Sequence, residues 1–550
     1  MKLPLSVLVV VHTPEMEVLL LERVQRPGFW QSVTGSLDRT DEPLEAAAAR
    51  ELREETGLLA SNGRLRRWNV AYTFEIYAQW RHRFAPGVTH NTEQLFSFEL
   101  ERAAPVTIAP EEHTASAWLP WREAARKCFS WSNRDAILMV GAALLAAGCA
   151  SAPAPLAPHL EAGAPEVQEC ARWYQALDAE IDAAGVRDAQ DARIPGFPHL
   201  RVDRLLAGLQ DRALTSDAAM RAYGEWLADL DLEARAAEIR NLPTLQSEAA
   251  RQQSWRRAQD CSRILRQADL ASPAARKAML EAARLPPDWT PARAVGEVST
   301  PTLEPGDGVQ RVRYAPPAGQ RLPRGVVSGL LGRATFDPLG YLGLTPREVE
   351  RLAITYAPSF EIETRADYDR FGWLRWRRGA SMPQVEATEP TVYIQAGYVR
   401  HGELLLLQLV YTLWFPERRA RDNVHPGAGP LDGLVWRVTL APDGEPLVYD
   451  SIHACGCFPV VFSRPRVAED ERPVVTLATA THDVQGLRVT SDSESLVRYV
   501  LRPYAELRSL PLMTGGHASM FRPDGRVAGS AARQAGRYPD PLAHSFEFAR

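Results

Sequence analysis

The sequence predicts an α/β fold for the N-terminal portion, then a helical segment, then a β-rich region. Three observations carry this expectation. Strand-like apolar runs alternate with one clear helix up to residue 140. Ala, Leu, Arg and Glu dominate from Glu166 to Leu285, with little β-branching. From Pro301 onward Val, Thr, Tyr, Trp, Gly and Pro rise. A chain of 550 residues is too long for one core. The expected division is 1–140, a linker over 141–165, a helical region over 166–299 and a β-rich region over 300–550.

In the first portion the strand candidates are Ser6–His12, Glu17–Glu22, Trp68–Gln79 and Gln94–Leu100. The helix is expected from about Pro43 to Thr56. Pro43 suits a first helical turn, Ala46 to Ala49 are strong helix formers, and Gly57 is placed to stop it.

Bulk composition is that of ordinary soluble protein, with 45% apolar and 24% charged residues. A formal net charge of −5 gives no general reason to expect nucleic acid as a partner. Six cysteines do not make a disulfide scaffold. The apolar run Val7 to Val11 is too short and too weakly flanked for a signal peptide, so a cytoplasmic location is expected for the first portion.

The sharpest chemical signal is Gly35-Ser-Leu-Asp-Arg-Thr-Asp-Glu42, then seven residues, then Arg50-Glu51-Leu52-Arg53-Glu54-Glu55-Thr56-Gly57-Leu58. On a helix, Glu51, Glu54 and Glu55 stand at i, i+3 and i+4 and share one face. On an arbitrary helix that face would be solvated and laced with pairs such as Arg50–Glu54. Here it falls in one ordered pattern with a Gly ahead, a Glu at the helix start and a Gly after it. Packed carboxylates repel unless something compensates them. Mg²⁺ does so, because it prefers a few carboxylates together with substrate phosphates. Such an ion bridges phosphate oxygens and lowers the pKa of an attacking water.

The pattern resembles the Nudix box: Gly, five residues, Glu, seven residues, Arg-Glu-apolar-x-Glu-Glu-x-Gly-apolar. Its second half matches in full. In the first half six residues, not five, separate Gly35 from Glu42. Only Glu42 keeps the seven-residue gap to Arg50, so Glu42 is expected to brace Arg50 and the extra residue to be a loop insertion. Three further segments, Phe29–Ser36, Arg81–Glu93 and Ser130–Arg134, resemble the dihydroneopterin triphosphate pyrophosphohydrolase subfamily.

That resemblance implies a Nudix α/β/α sandwich with a mixed sheet, and Mg²⁺ held by Glu51 and Glu55 with Glu54 and Glu112. It also implies substrate contacts at Lys2, Arg23, Thr34, Ser130 and the strand Phe74-Glu75-Ile76-Tyr77. Arg81 and Arg83, with Lys2 and Arg23, offer cationic donors for phosphates. The Phe74–Tyr77 strand offers an aromatic wall and a carboxylate for a pterin's amino and ring N–H groups. The implied reaction is attack of water within the triphosphate, releasing pyrophosphate. Glu54, Glu55 and Glu112 are the catalytic candidates, with the base left open between Glu54 and Glu112. A Nudix hydrolase of other nucleoside triphosphates is the second reading.

Ala136–Gly148 is a 13-residue apolar run ending at Cys149, and Leu145-Ala-Ala-Gly-Cys149 resembles a bacterial lipobox. A Pro/Ala-rich tract follows. Cys149 is thus a candidate membrane tether, with the C-terminal region exported and the first portion a passenger or fusion partner. The alternative is that the run extends the last helix of the first portion. Farther on, His453-Ala-Cys455-Gly-Cys457, with His425 and His482, has the residue types of a Zn²⁺ or Cu site. Ordinary packing is the favoured reading, because no second Cys pair closes a site.

Overall fold

The computed structural model describes residues 2–24, 26–39, 41–76, 78–148, 155–285, 310–317, 321–380, 382–419, 429–455, 460–462, 467–468, 471–491, 497–527 and 530. Two compact units divide the chain: residues 1–152 with 418–430 and 528–531, and the remainder.

The first unit is built on β1 (Leu5–His12), β2 (Glu17–Arg23), β3 (Trp30–Gln31), β4 (Val33–Ser36), β5 (Arg64–Glu75), β6 (His90–Glu99) and β7 (His113–Pro120). Its helices are α1 (Leu44–Thr56), α2 (Trp121–Lys127) and α3 (Trp131–Gly148). The sheet runs β3-β2-β1-β6-β5, with β4 on β1 and β7 on β2. Strand β1 pairs with β6 in parallel and with β2 and β4 antiparallel, so the sheet is mixed.

Both faces of β1 are covered, which is why it reads as a nearly unbroken apolar run. Val7, Val9 and Val11 pack with Ala47, Ala48 and Leu52 of α1. Leu8 and Val10 face the other way, onto Ala124 and Ala125 of α2 and Ala136, Ile137 and Val140 of α3. The result is an α/β/α sandwich.

Several boundaries differ from expectation. Strand β5 begins at Arg64, not Trp68, and stops at Glu75. It ends the strand order as an edge strand, and its charged start is carried by cross-strand pairs such as Arg64–Glu99 at 3.3 Å, which leave no apolar signal. Ala78–Arg83 is a turn of 3₁₀ helix, not strand. Pro43 is the N-cap of α1, with extended backbone, and not inside its first turn. Gly57 caps the other end at φ 70°, where a side chain would be strained, and its N–H donates to Arg53 O. The apolar run after Ala136 continues α3, and its first turns lie in the sandwich core. Among the described residues no helix is long and apolar enough to cross a membrane. Cys149 lies outside the described residues.

The second unit is helical first and β-rich afterwards. Pro165–Ala184, Asp217–Asn241, Glu248–Leu270 and Pro273–Ala282 are its longer helices before residue 286. A disulfide, Cys170–Cys261, ties the first of these to the third. The β-rich part holds a six-stranded sheet around Leu404–Arg418 and Gly429–Leu440, and a five-stranded sheet around Ser359–Thr364 and Glu471–Leu477.

Candidate active site

The carboxylate face of α1 meets the end of β4. Gly35 leaves room for the Glu51 carboxyl: a Cβ there would fall 1.7 Å from Glu51 Cδ. Glu51 therefore lies flat against the β4 backbone, and burial pushes it up to about 7 although the Arg50 guanidinium opposes this.

Arg50 organises the loop ahead of the helix. Its Nη1 donates to Glu51 Oε1 at 2.7 Å and to Glu54 Oε2 at 3.2 Å, and its Nη2 donates to Ser36 O at 3.0 Å. Glu42 receives Nε at 3.1 Å and Nη2 at 3.4 Å, a two-toothed contact. The same Glu42 accepts the Asp38 N–H at 2.7 Å, closing the loop that carries the extra residue. Hydrogen bonding from Arg50 holds Glu42 below the ordinary carboxylate range.

One turn on, Glu55 is buried and accepts the Thr34 N–H at 3.4 Å. Burial raises its pKa, partly offset by His113. His113 opens β7, opposite Arg23 of β2. Its Nε2 lies 3.3 Å from Glu55 Oε2, while its buried Nδ1 has no hydrogen-bond partner. Exposed Glu112 stands beside it, its carbonyl fixed by the Val24 N–H at 2.9 Å. Ligand atoms of Glu55, Glu112 and His113 all lie within 4.8 Å of one another. An imidazole with one unpartnered nitrogen next to two carboxylates, one of them buried, has the ligand types of a divalent cation site. Glu51 and Glu54 are turned instead toward Arg50. His113, the residue after Glu112 in the chain, thus joins the group beside the expected carboxylates.

The remaining expected contacts fall as follows. Exposed Lys2 bridges to Phe84, and its N–H donates to Arg83 O at 2.7 Å. Arg81 Nε donates to Ile76 O at 3.0 Å, and Ile76 itself is buried. Thr34 Oγ1 accepts from Gln31 at 3.1 Å. Ser130 Oγ accepts the Asn133 N–H at the start of α3. The side chains of Phe74 and Glu75, and the whole of Tyr77, lie outside what is described.

The Nudix domain matches residues 2–139 of this chain. Over 139 residues the chain is 42% identical to the dihydroneopterin triphosphate diphosphatase of Escherichia coli K12, covering 25% of this chain and 91% of that protein. This chain belongs to the Nudix family. The Nudix unit is also 36% identical over 135 residues to the protein of the same name from Haemophilus influenzae, covering 24% of this chain and 84% of the relative. Among solved structures, the E. coli dihydroneopterin triphosphate pyrophosphohydrolase is 40% identical, covering 25% of this chain and 94% of its own, at a TM-score of 0.24.

Outside the Nudix unit, the histidines singled out above are held by carboxylates. His453 Nδ1 and His482 Nδ1 contact the two oxygens of Asp432 at 3.1 and 2.7 Å. His425 and Cys457 lie outside the described residues.

Proposed function

We propose that the Nudix unit hydrolyses dihydroneopterin triphosphate to dihydroneopterin monophosphate and pyrophosphate, a step in folate synthesis, with Mg²⁺ as its metal. The observation that carries this reading is the buried Glu55 carboxyl, grouped with Glu112 and His113, in a domain 42% identical to proteins of that name. A divalent cation bound there neutralises charge on the phosphate oxygens and lowers the pKa of the attacking water. Thr34 N–H holds Glu55 in position, and Arg50 fixes α1 against the loop. Glu112 and Glu54, the more exposed carboxylates of the region, are the candidates to take the proton from water. Arg23, Arg81, Arg83 and Lys2 supply positive charge for the phosphates.

The test is pyrophosphate release by the full chain with Mg²⁺, comparing dihydroneopterin triphosphate with GTP and dATP. Preference for the pterin, lost in Glu55→Gln, supports the reading. Equal or better turnover of GTP and dATP leaves the Nudix chemistry standing and removes the folate step.

A second proposal concerns the region after Gly148, read as a lipoprotein-like, membrane-tethered portion fused to the enzyme. The Cys170–Cys261 disulfide favours it, because such bonds persist in oxidising compartments. Fatty-acid labelling that disappears in Cys149→Ala supports the tether, and labelling absent from the unaltered chain rules it out.

A further inference from the structure

A second set of polar side chains lies inside the Nudix unit, on the sheet face opposite α1. Asn91 and Glu93 are two residues apart on β6 and therefore share that face with Leu95, which packs toward α3. Ser6 of β1 is the register partner of Glu93, and its hydroxyl takes the Asn91 Nδ2 hydrogen bond at 2.7 Å. From the start of α3, the Ser132 side chain hydrogen-bonds to Glu93. Asn133 Oδ1 accepts the Ser32 N–H at 2.7 Å. Half-buried Ser130 connects this group toward the surface, its hydroxyl 3.4 Å from that of Ser132.

The group is incompletely satisfied. Ser32 Oγ, Asn91 Oδ1 and Glu93 Oε2 are all buried and make no hydrogen bond. Each of these unpartnered atoms costs free energy that a partner would return. All three can accept, and two of them, an amide oxygen and a carboxyl oxygen, can only accept unless the acid is protonated. The missing partner is therefore a donor-rich group. Burial pushes Glu93 up to about 8, so water is not stabilising its charge.

We infer that Glu93, with Asn91 and Ser132, reads the heterocyclic head of the substrate by accepting N–H groups from a 2-amino-4-oxopyrimidine edge. That edge presents an exocyclic amino group and a ring N–H side by side, a match for one carboxyl group. Pterin and guanine both carry it; adenine and hypoxanthine lack the 2-amino group. The inference rests on the Nudix unit being a triphosphate pyrophosphohydrolase, and it gives Glu93 the recognition role that the sequence alone suggested for Glu75. A site built around paired polar groups rejects an analogue lacking one of them strongly, because its own buried acceptors are then left unmet.

The decisive comparison is GTP against ITP, which differ only in the 2-amino group, with dihydroneopterin triphosphate alongside. For the full chain with Mg²⁺, kcat/KM is expected to favour GTP and the pterin over ITP by at least about tenfold. In Glu93→Gln, which keeps the shape but replaces one accepting oxygen with a donating amide nitrogen, the GTP-to-ITP ratio falls to within about threefold of one. A ratio unchanged in a folded Glu93→Gln protein overturns the inference. Should that variant fail to melt cooperatively, equilibrium binding of guanosine and inosine to the unaltered chain decides. Equal binding of the two overturns the inference, and preference for guanosine supports it. If GTP outperforms the pterin while both exceed ITP, Glu93 keeps its role and only the folate reading fails.

Discussion

A side chain on residue 35 would begin inside the carboxyl group of Glu51. A Cβ at Gly35 would stand 1.7 Å from Glu51 Cδ and 1.9 Å from its Oε1. The colliding atoms are the end of a flexible side chain, so in Gly35→Ala the carboxyl is expected to swing away while the fold persists. If Glu51 is a metal ligand, as the Nudix resemblance implies, displacement of this size would lower rates by about 100-fold. The expected outcome is kcat/KM down by at least about tenfold, with the melting temperature of the Nudix unit nearly unchanged. A large loss of melting temperature with full activity per folded molecule would show that Gly35 serves only packing.

The extra residue before Glu42 lies in a loop whose Arg39–Asp41 pair, at 3.2 Å, is 73% and 77% exposed. Exposed pairs of this kind contribute little. The contacts that matter, Arg50 to Glu42 and Asp38 N–H to Glu42, do not involve Asp41. Deleting Asp41 is therefore expected to leave pyrophosphate release within about threefold of the parent, since one residue changes loop-closure entropy very little. Glu42→Ala removes the brace and is expected to cost more activity than the deletion. Steady-state assays of both variants with the same substrate check this ordering.

How much could be read beforehand follows from what each element needs. Strands β1 and β2 announce themselves as unbroken apolar runs because both faces are covered, and helix α1 by its helix formers and capping glycine. Strand β7 is half polar and Arg-rich β5 is an edge strand, so their boundaries depend on partners remote in sequence. The acidic face of α1 was legible from the i, i+3, i+4 spacing of Glu51, Glu54 and Glu55. Its division of labour was not: Arg50 draws Glu51 and Glu54 to itself, while His113 arrives beside Glu55 through the β2–β7 pairing. Glu93 stood out only as the last residue of the Arg81–Glu93 segment, because a lone Glu in a strand sequence reads as solvent-facing, whereas the fold buries it and places Ser132 against it.

Burial of Glu93 also carries a stability consequence with a definite sign. Its carboxyl titrates at about 8 in the folded protein, against 4.5 ordinarily. The folded state thus holds a proton that the unfolded chain releases between those values. The associated stability is fully present below pH 4.5 and is lost as pH rises through 8. The slope is about 1.4 kcal/mol for each pH unit within the window, as an upper figure for one group. The melting temperature of the ligand-free Nudix unit is expected to fall between pH 5 and pH 8, and less steeply in Glu93→Gln. Parallel pH profiles for the two proteins would place Glu93 in contact with water.

The disulfide separates the two units by chemistry. Cys170 and Cys261 are 91 residues apart, and both belong to the second unit. The Nudix unit has its own two core clusters, and Cys128, its cysteine among the described residues, is free. Opening a loop of that length costs roughly 2–4 kcal/mol, much of it by releasing the unfolded chain from its constraint. Dithiothreitol, or the Cys170→Ser and Cys261→Ser pair, is therefore expected to lower the melting transition of the second unit while leaving pyrophosphate release at its original rate. Calorimetry and the activity assay on one sample distinguish the outcomes. Loss of both together would mean that the Nudix unit depends on the fold of the second, and that an exported C-terminal portion cannot be separated from a working enzyme.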